Sequence, residues 1–180
     1  MIAFRTDTFY GLGVDPFNAI AVDRIRALKE RDNKPILLLI ADADEVDRLI
    51  IQRSPVFDEL AARFWPGPLT IIGKAATDLP EGITAGTATV GVRLPDDEKV
   101  RELVRVCGGV LTATSANPAG REPARSAEEV ESYFPEGIDL IIDGGEVTAT
   151  EPSTVVDATT SPPRVIREGA IAASLIVPHA

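Results

Sequence analysis

The chain is poor in the residues that most enzymes use for nucleophilic or metal chemistry: 180 residues include one cysteine, Cys107, and one histidine, His179. A lone cysteine excludes an internal disulfide, and the scarcity of both residue types argues against a zinc site or a Ser-His-Asp triad. No apolar run approaches the length that crosses a bilayer, and the opening "MIAFRTDTF" lacks the regions of a signal peptide. The chain is therefore expected to be soluble and cytoplasmic, with no membrane contact. Basic charge is also scarce: 18 Lys and Arg against 28 Asp and Glu leave a formal charge of −10, which opposes indiscriminate attraction to phosphate backbones. Small anions remain open as ligands. The sequence has no G-x-x-x-x-G-K-[ST] loop, no G-x-G-x-x-G opening a helix, no G-x-S-x-G elbow and no metal-ligand cluster.

A hydrophobic fraction of 44% over this length suffices for a continuous core, and one domain over residues 1–180 is expected. Helical and extended patterns alternate. Apolar runs predict strands at 2–5, 35–40, within 65–74, and at 90–95, 109–114, 139–143, 153–157 and 164–168, with "TDTFYGLG" (6–13) read as a loop. Helices are predicted at 18–30 with Asn18 as N-cap, 42–50, 54–64 with Ser54 as cap and Pro55 at its first position, 96–106 stopped by Gly108, and 126–134 opened by a Ser126/Glu129 capping box. This intermingling predicts an α/β fold around a mixed twisted sheet with flanking helices.

Five clusters stand at the ends of these elements, where ligand groups converge in α/β sheets. Lys29, Arg31 and Lys34 either form a solvated helix end or clamp a triphosphate. Arg93 alternates with Val90 and Val92 in a strand. Its guanidinium suits a carboxylate ligand, or else pairs with a nearby Asp or Glu. Ser115 and Asn117 in "TATSANPAG" offer neutral hydrogen bonds to a ligand, or make a turn before Pro118. Gly11 and Gly13 permit close approach of backbone to a ligand or serve a tight turn, and Thr6 and Thr8 are ligand contacts or ordinary strand-end hydroxyls.

Taken together, "TDTFYGLG", "KER…KP", "WPGPLT", "VGVRLP", "TSAN", "STVVD" and "REG" resemble the YrdC-type threonylcarbamoyl-AMP synthases over roughly residues 4 to 170. The resemblance implies a large concave cavity and a reaction in which L-threonine, bicarbonate and ATP give threonylcarbamoyl-adenylate and pyrophosphate. The product would pass to downstream threonylcarbamoyl-transferase proteins that modify an adenosine beside the anticodon, and tRNA itself is a candidate partner. By the same resemblance, Lys29 and Arg31 act as catalytic and ATP-phosphate residues. Lys34, Thr89, Ser115, Asn117 and Arg167 contact the nucleotide, and Thr6, Thr8, Arg93, Ala113 and Ser153 form the threonine site. Mg2+ would arrive with ATP, held mainly by phosphates and water. Arg5 stands where the family usually has proline, Leu39 where longer members have histidine and Pro123 where some have serine. The alternatives are a non-catalytic RNA-binding or regulatory module of the same fold, or a carbamoyl-adenylate domain of the hydrogenase-maturation type.

Overall fold

Short β-branched and apolar runs separated by Pro, Gly and Asp punctuation become strands of three to six residues. The computed structural model describes residues 1–30 and 34–176. Within them β1 (Ile2–Arg5), β2 (Tyr10–Gly13), β3 (Leu37–Ile40), β4 (Leu69–Lys74), β5 (Thr89–Arg93), β6 (Val110–Ser115), β7 (Leu140–Ile142), β8 (Thr154–Asp157) and β9 (Arg164–Arg167) form one sheet. Its strand order is β7-β1-β2-β6-β3-β5-β4-β8-β9. The sheet is mixed: β1/β7, β3/β5 and β4/β8 pair in parallel, and the other neighbours are antiparallel. Among the described residues six α-helices accompany it: α1 (Ala19–Leu28), α2 (Pro55–Phe64), α3 (Glu81–Thr84), α4 (Glu98–Val106), α5 (Ala127–Tyr133) and α6 (Ala173–Ile176).

The caps read from the sequence are in place. Asn18 accepts from Ala21 N, Ser54 from Phe57 N and Ser126 from Glu129 N, each supplying a partner to a first-turn amide. The Ser126 box is shifted by one residue, because the Glu129 carboxylate accepts from Arg125 N. Helix α4 opens on Asp97, whose side chain accepts from Lys99 N and Val100 N and also takes Arg5 Nη1 at 3.0 Å. Arg5 thus ties the end of β1 to the start of α4.

Three local expectations are corrected. Residues 42–50 form only a 3-10 helix over Ala43–Arg48, and the Asp42 carboxylate before it pairs with Arg105 instead of capping. The segments α3 and α6 had no place in the sequence reading, each being a single turn too short to establish a period. The stretch 6–13 is a hairpin: Thr6–Phe9 turns, and Tyr10–Gly13 returns as β2 against β1 in the register Arg5↔Tyr10 to Ile2↔Gly13. Glycine here marks close packing within a strand. A Cβ on Gly13 would stand 2.8 Å from the Phe4 and Leu111 side chains.

Strand alternation gives the sheet two different faces. Leu38, Ile40, Leu69, Ile71, Val90, Val92, Val110 and Val156 face the larger core, with Val22 and Ile25 of α1, Phe57 and Leu60 of α2 and Val130 of α5. The other face is covered in part by α4, whose Val100 and Val104 pack on Phe4, Leu39, Leu111 and Ala113. Its remainder is open. Replacing fully buried Leu38 with Ala should cost about 2–5 kcal/mol in denaturant unfolding. Ile20→Ala, at a side chain 83% exposed on α1, should stay within about 0.5 kcal/mol of the parent.

Candidate functional site

The open part of that second face is the floor of a cavity of about 670 Å³. Residues two apart along successive strands supply it: Ala113 and Ser115, Leu37 and Leu39, Gly91 and Arg93, Thr70 and Ile72, then Ser153 and Val155. Register sets them side by side, with Gly11 opposite Ser115, Ala113 opposite Leu37, Leu39 opposite Arg93, Gly91 opposite Ile72 and Thr70 opposite Val155. Gly91 keeps the middle low, since a Cβ there would meet the Thr70 methyl at 3.0 Å. The walls add Thr6, Thr8, Lys34, Pro123 and Arg167. Apolar surface thus surrounds a few polar groups, as in small-molecule sites.

Arg93 is 3% exposed, an unusual depth for a guanidinium. Its Nε donates to Gly67 O at 3.1 Å, Nη1 to Thr8 Oγ1 at 3.3 Å and Nη2 to the Asp7 carboxylate. Arg93 therefore pairs with an acid, the second of the two readings weighed for it, and at the same time lines the cavity. Burial pushes its pKa down, and the adjacent Asp7 charge opposes that shift. Arginine only donates, so Thr8 accepts from Nη1 and passes its own proton toward Thr6 Oγ1 at 3.1 Å, while Thr6 donates to Phe9 O at 2.6 Å. Thr6 also accepts from Thr8 N and Phe9 N. Thr6 therefore shapes the loop, and Thr8 is the hydroxyl set against Arg93.

A second arginine faces the same space. Arg167 Nη2 donates to Ser153 O at 2.7 Å and lies 3.3 Å from Ser153 Oγ, which in turn is 3.0 Å from Thr70 Oγ1. Partial burial lowers the Arg167 pKa, and the charge of Arg93 lowers it further. Two guanidiniums close enough to repel one another make a cavity suited to anions. The "REG" turn holds this corner. Gly169 N donates to Thr154 Oγ1 and Ala170 N to Pro152 O, both at 3.0 Å, and a Cβ at 169 would stand 2.2 Å from Pro152 O.

The remaining expected residues divide. Lys34, Ala113 and Ser115 line the cavity, whereas Lys29, Thr89 and Asn117 are not among its lining residues. Lys29 Nζ donates to Ser115 O at 2.6 Å and to Asn117 O, with Asn117 Oδ1 at 3.3 Å. Asn117 Nδ2 donates to Pro118 O and Arg121 O, so the turn reading of this side chain holds. Thr89 Oγ1 sits 2.9 Å from Thr87 Oγ1 at the start of β5. Arg31 lies outside the described residues. Leu39 and Pro123, at two positions where the family varies, both line the cavity.

Two participants were not singled out from the sequence. Asp7 was quoted inside "TDT", but its partner is 86 residues away and the pairing has no local signal. Thr70 had one: a hydroxyl within the apolar run "PLTIIGK", 2% exposed.

The Sua5/YciO/YrdC family model, whose description reads telomere recombination, matches residues 1–169. The chain belongs to this family. Among Sua5/YciO/YrdC relatives, it is 37% identical over 172 residues to the threonylcarbamoyl-AMP synthase of Pyrococcus abyssi, covering 95% of this chain and 51% of that one. It is 38% identical over 168 residues to the threonylcarbamoyl-AMP synthase of Pseudomonas aeruginosa, covering 93% and 89%. The chain thus spans about half the length of the archaeal relative and most of the bacterial one. The crystal structure of P. abyssi Sua5 complexed with L-threonine superposes with a TM-score of 0.93 at 35% identity, covering 98% of this chain and 53% of that one. No helix among the described residues is long and apolar enough to cross a membrane. Gly169→Ala should destabilise the protein by about 1–3 kcal/mol in denaturant unfolding, since the added methyl displaces the Pro152 backbone.

Proposed function

We propose that this chain is an L-threonylcarbamoyladenylate synthase, joining L-threonine, bicarbonate and ATP into threonylcarbamoyl-AMP and pyrophosphate. The carrying observation is that Arg93 on the floor and Arg167 on the wall line one cavity, flanked by the hydroxyls of Thr8, Ser153 and Thr70. A carboxylate and a phosphate must be held within one small volume, and two guanidiniums separated by neutral donors suit that pair of anions. The names of the relatives support this reading over a binding module of the same fold.

In this reading the threonine carboxylate meets Arg93, with Thr8, Ser153 and the backbone of Ala113 around the amino acid. The threonine amine combines with bicarbonate, releasing water and leaving a carbamate. A carbamate oxygen then attacks the α-phosphorus of ATP, and the bond to pyrophosphate breaks. No side-chain nucleophile is required; positioning and neutralisation of converging negative charge supply the acceleration. Arg167, Lys34 and Ser115 lie on the nucleotide side. Asn117 and Lys29 act first by holding the loop that carries Ser115, and Lys29 reaches a phosphate by exchanging loop carbonyls for phosphate oxygens. The roles of Arg31 and Thr89 rest on the family resemblance.

Magnesium belongs to this reading as part of the substrate MgATP. Glu122 is the one carboxylate lining the cavity, and among the described residues no group of three or more His, Cys, Asp or Glu is arranged to hold a metal ion. In this reading the ion's ligands are phosphate oxygens and water. The product is passed to transferase partners acting on tRNA.

Purified protein incubated with MgATP, bicarbonate and L-threonine should release pyrophosphate and form threonylcarbamoyl-AMP. Folded protein that releases no threonine-dependent pyrophosphate would overturn the assignment. Arg93→Ala should lower kcat/KM for threonine by about 100-fold or more, through loss of a charge-assisted contact and a stranded Asp7. Gly91→Leu alters no charged group but fills the cavity floor. It should abolish turnover while the protein remains folded by circular dichroism.

A further inference from the structure

Arg93 can bind a carboxylate only if its guanidinium stays charged and correctly turned at a depth that disfavours both. Its Nε is engaged by Gly67 O, one N–H of Nη1 by Thr8 and one N–H of Nη2 by Asp7. One N–H on each terminal nitrogen has no protein partner among the described residues, which leaves two donors for a substrate carboxylate. Of the three partners, Gly67 O and Thr8 Oγ1 are neutral, and Asp7 alone brings opposite charge. The Asp7 side chain is itself only 16% exposed, so the pair is shielded from water, and its Oδ1 is buried without a hydrogen-bond partner. Nothing in the turn Thr6–Phe9 uses this carboxylate: Thr6 closes the turn through Phe9 O, Phe9 N and Thr8 N.

We infer that Asp7 is a positioning residue for amino-acid recognition, holding Arg93 charged and oriented so that its two free N–H groups face the substrate carboxylate. This rests on the synthase reading and names a residue through which that reading acts. Asp7 touches no substrate atom. Its carboxylate anchors one edge of the guanidinium, Gly67 O fixes the Nε edge, and the remaining edge turns to the cavity beside Thr8. Removing the charge leaves the desolvation of Arg93 unopposed and lets the fork rotate.

The test is binding of L-threonine and of L-threoninamide, which lacks the carboxylate, by calorimetry to the parent and to Asp7→Asn. Kinetics with MgATP and bicarbonate run alongside. The parent should prefer the acid, and Asp7→Asn should erode that preference by about tenfold through weaker L-threonine binding, with threoninamide affinity and the KM for MgATP within about twofold. Unchanged preference in Asp7→Asn, or equal weakening of acid and amide, overturns the inference. A parent that binds no L-threonine overturns the synthase reading and the inference with it, whereas a parent that binds it beside an unaffected variant removes the inference alone. Asp7→Glu, which keeps the charge on a longer arm, is the second variant should Asp7→Asn not fold. It should raise the threonine KM and leave the ATP KM unmoved, and a rise in both would mark a structural role.

Discussion

A guanidinium buried in the floor of a β-sheet is the constraint around which this site is organised. Arg93 ends β5, shoulder to shoulder with Leu39, at a depth where an unpaired charge is not tolerated. Its three protein partners come from two places far apart in sequence, the turn at Gly67 and the turn at Asp7 and Thr8. The "WPGPLT" and "TDTFYGLG" segments therefore meet because one cation needs both. Gly67 N donates to Leu94 O, binding the first turn to the chain just beyond β5, and Thr6 closes the second on Phe9.

The fold was legible where it follows from local chemistry. Ser54 and Ser126 announce their helices because a hydroxyl before an apolar period has one obvious use, and "PILLLI" reads as a strand because its apolar run is short and unbroken. Glycine misled at 13, where the packing of Phe4 and Leu111 decides and cannot be read from neighbours in sequence, whereas Gly11 does line the cavity. In the site, Arg93 was visible as a polar group in a strand, and Ser153 and Arg167 through the family resemblance. Their company was not: Asp7 with Arg93 and Thr70 with Ser153 are pairings that only the sheet order creates. Asn117 shows the opposite case, in which the bland local turn is the loop that follows Ser115 at the cavity, held by Lys29 from α1's end.

The charge distribution has two scales. Over the whole chain the balance is −10, and much acidic charge is paired at the surface, as where Arg24 and the N-terminal amine hold the Asp139 carboxyl well below its ordinary range and a hydrogen bond from Arg105 lowers that of Asp42. Inside the cavity the sign reverses, with Arg93, Arg167 and Lys34 against Glu122. A polyanion meets the first scale and a small anion the second, so selection by size precedes selection by shape.

The two-faced sheet also bears on how this chain tolerates change. Along β3, β4, β5 and β6, one set of alternate residues is core and the other lies on the face shared by the cavity and α4, where Leu39 and Ala113 serve both packing and cavity. Insertion or deletion of one residue within these strands affects both sets. It turns the next residues over, sending valines and isoleucines into the anion cavity and a guanidinium into the hydrocarbon core. Added or lost residues are accordingly expected to be tolerated in the turns outside the strands, and the spacing inside them is as much a part of the site as the side chains it displays.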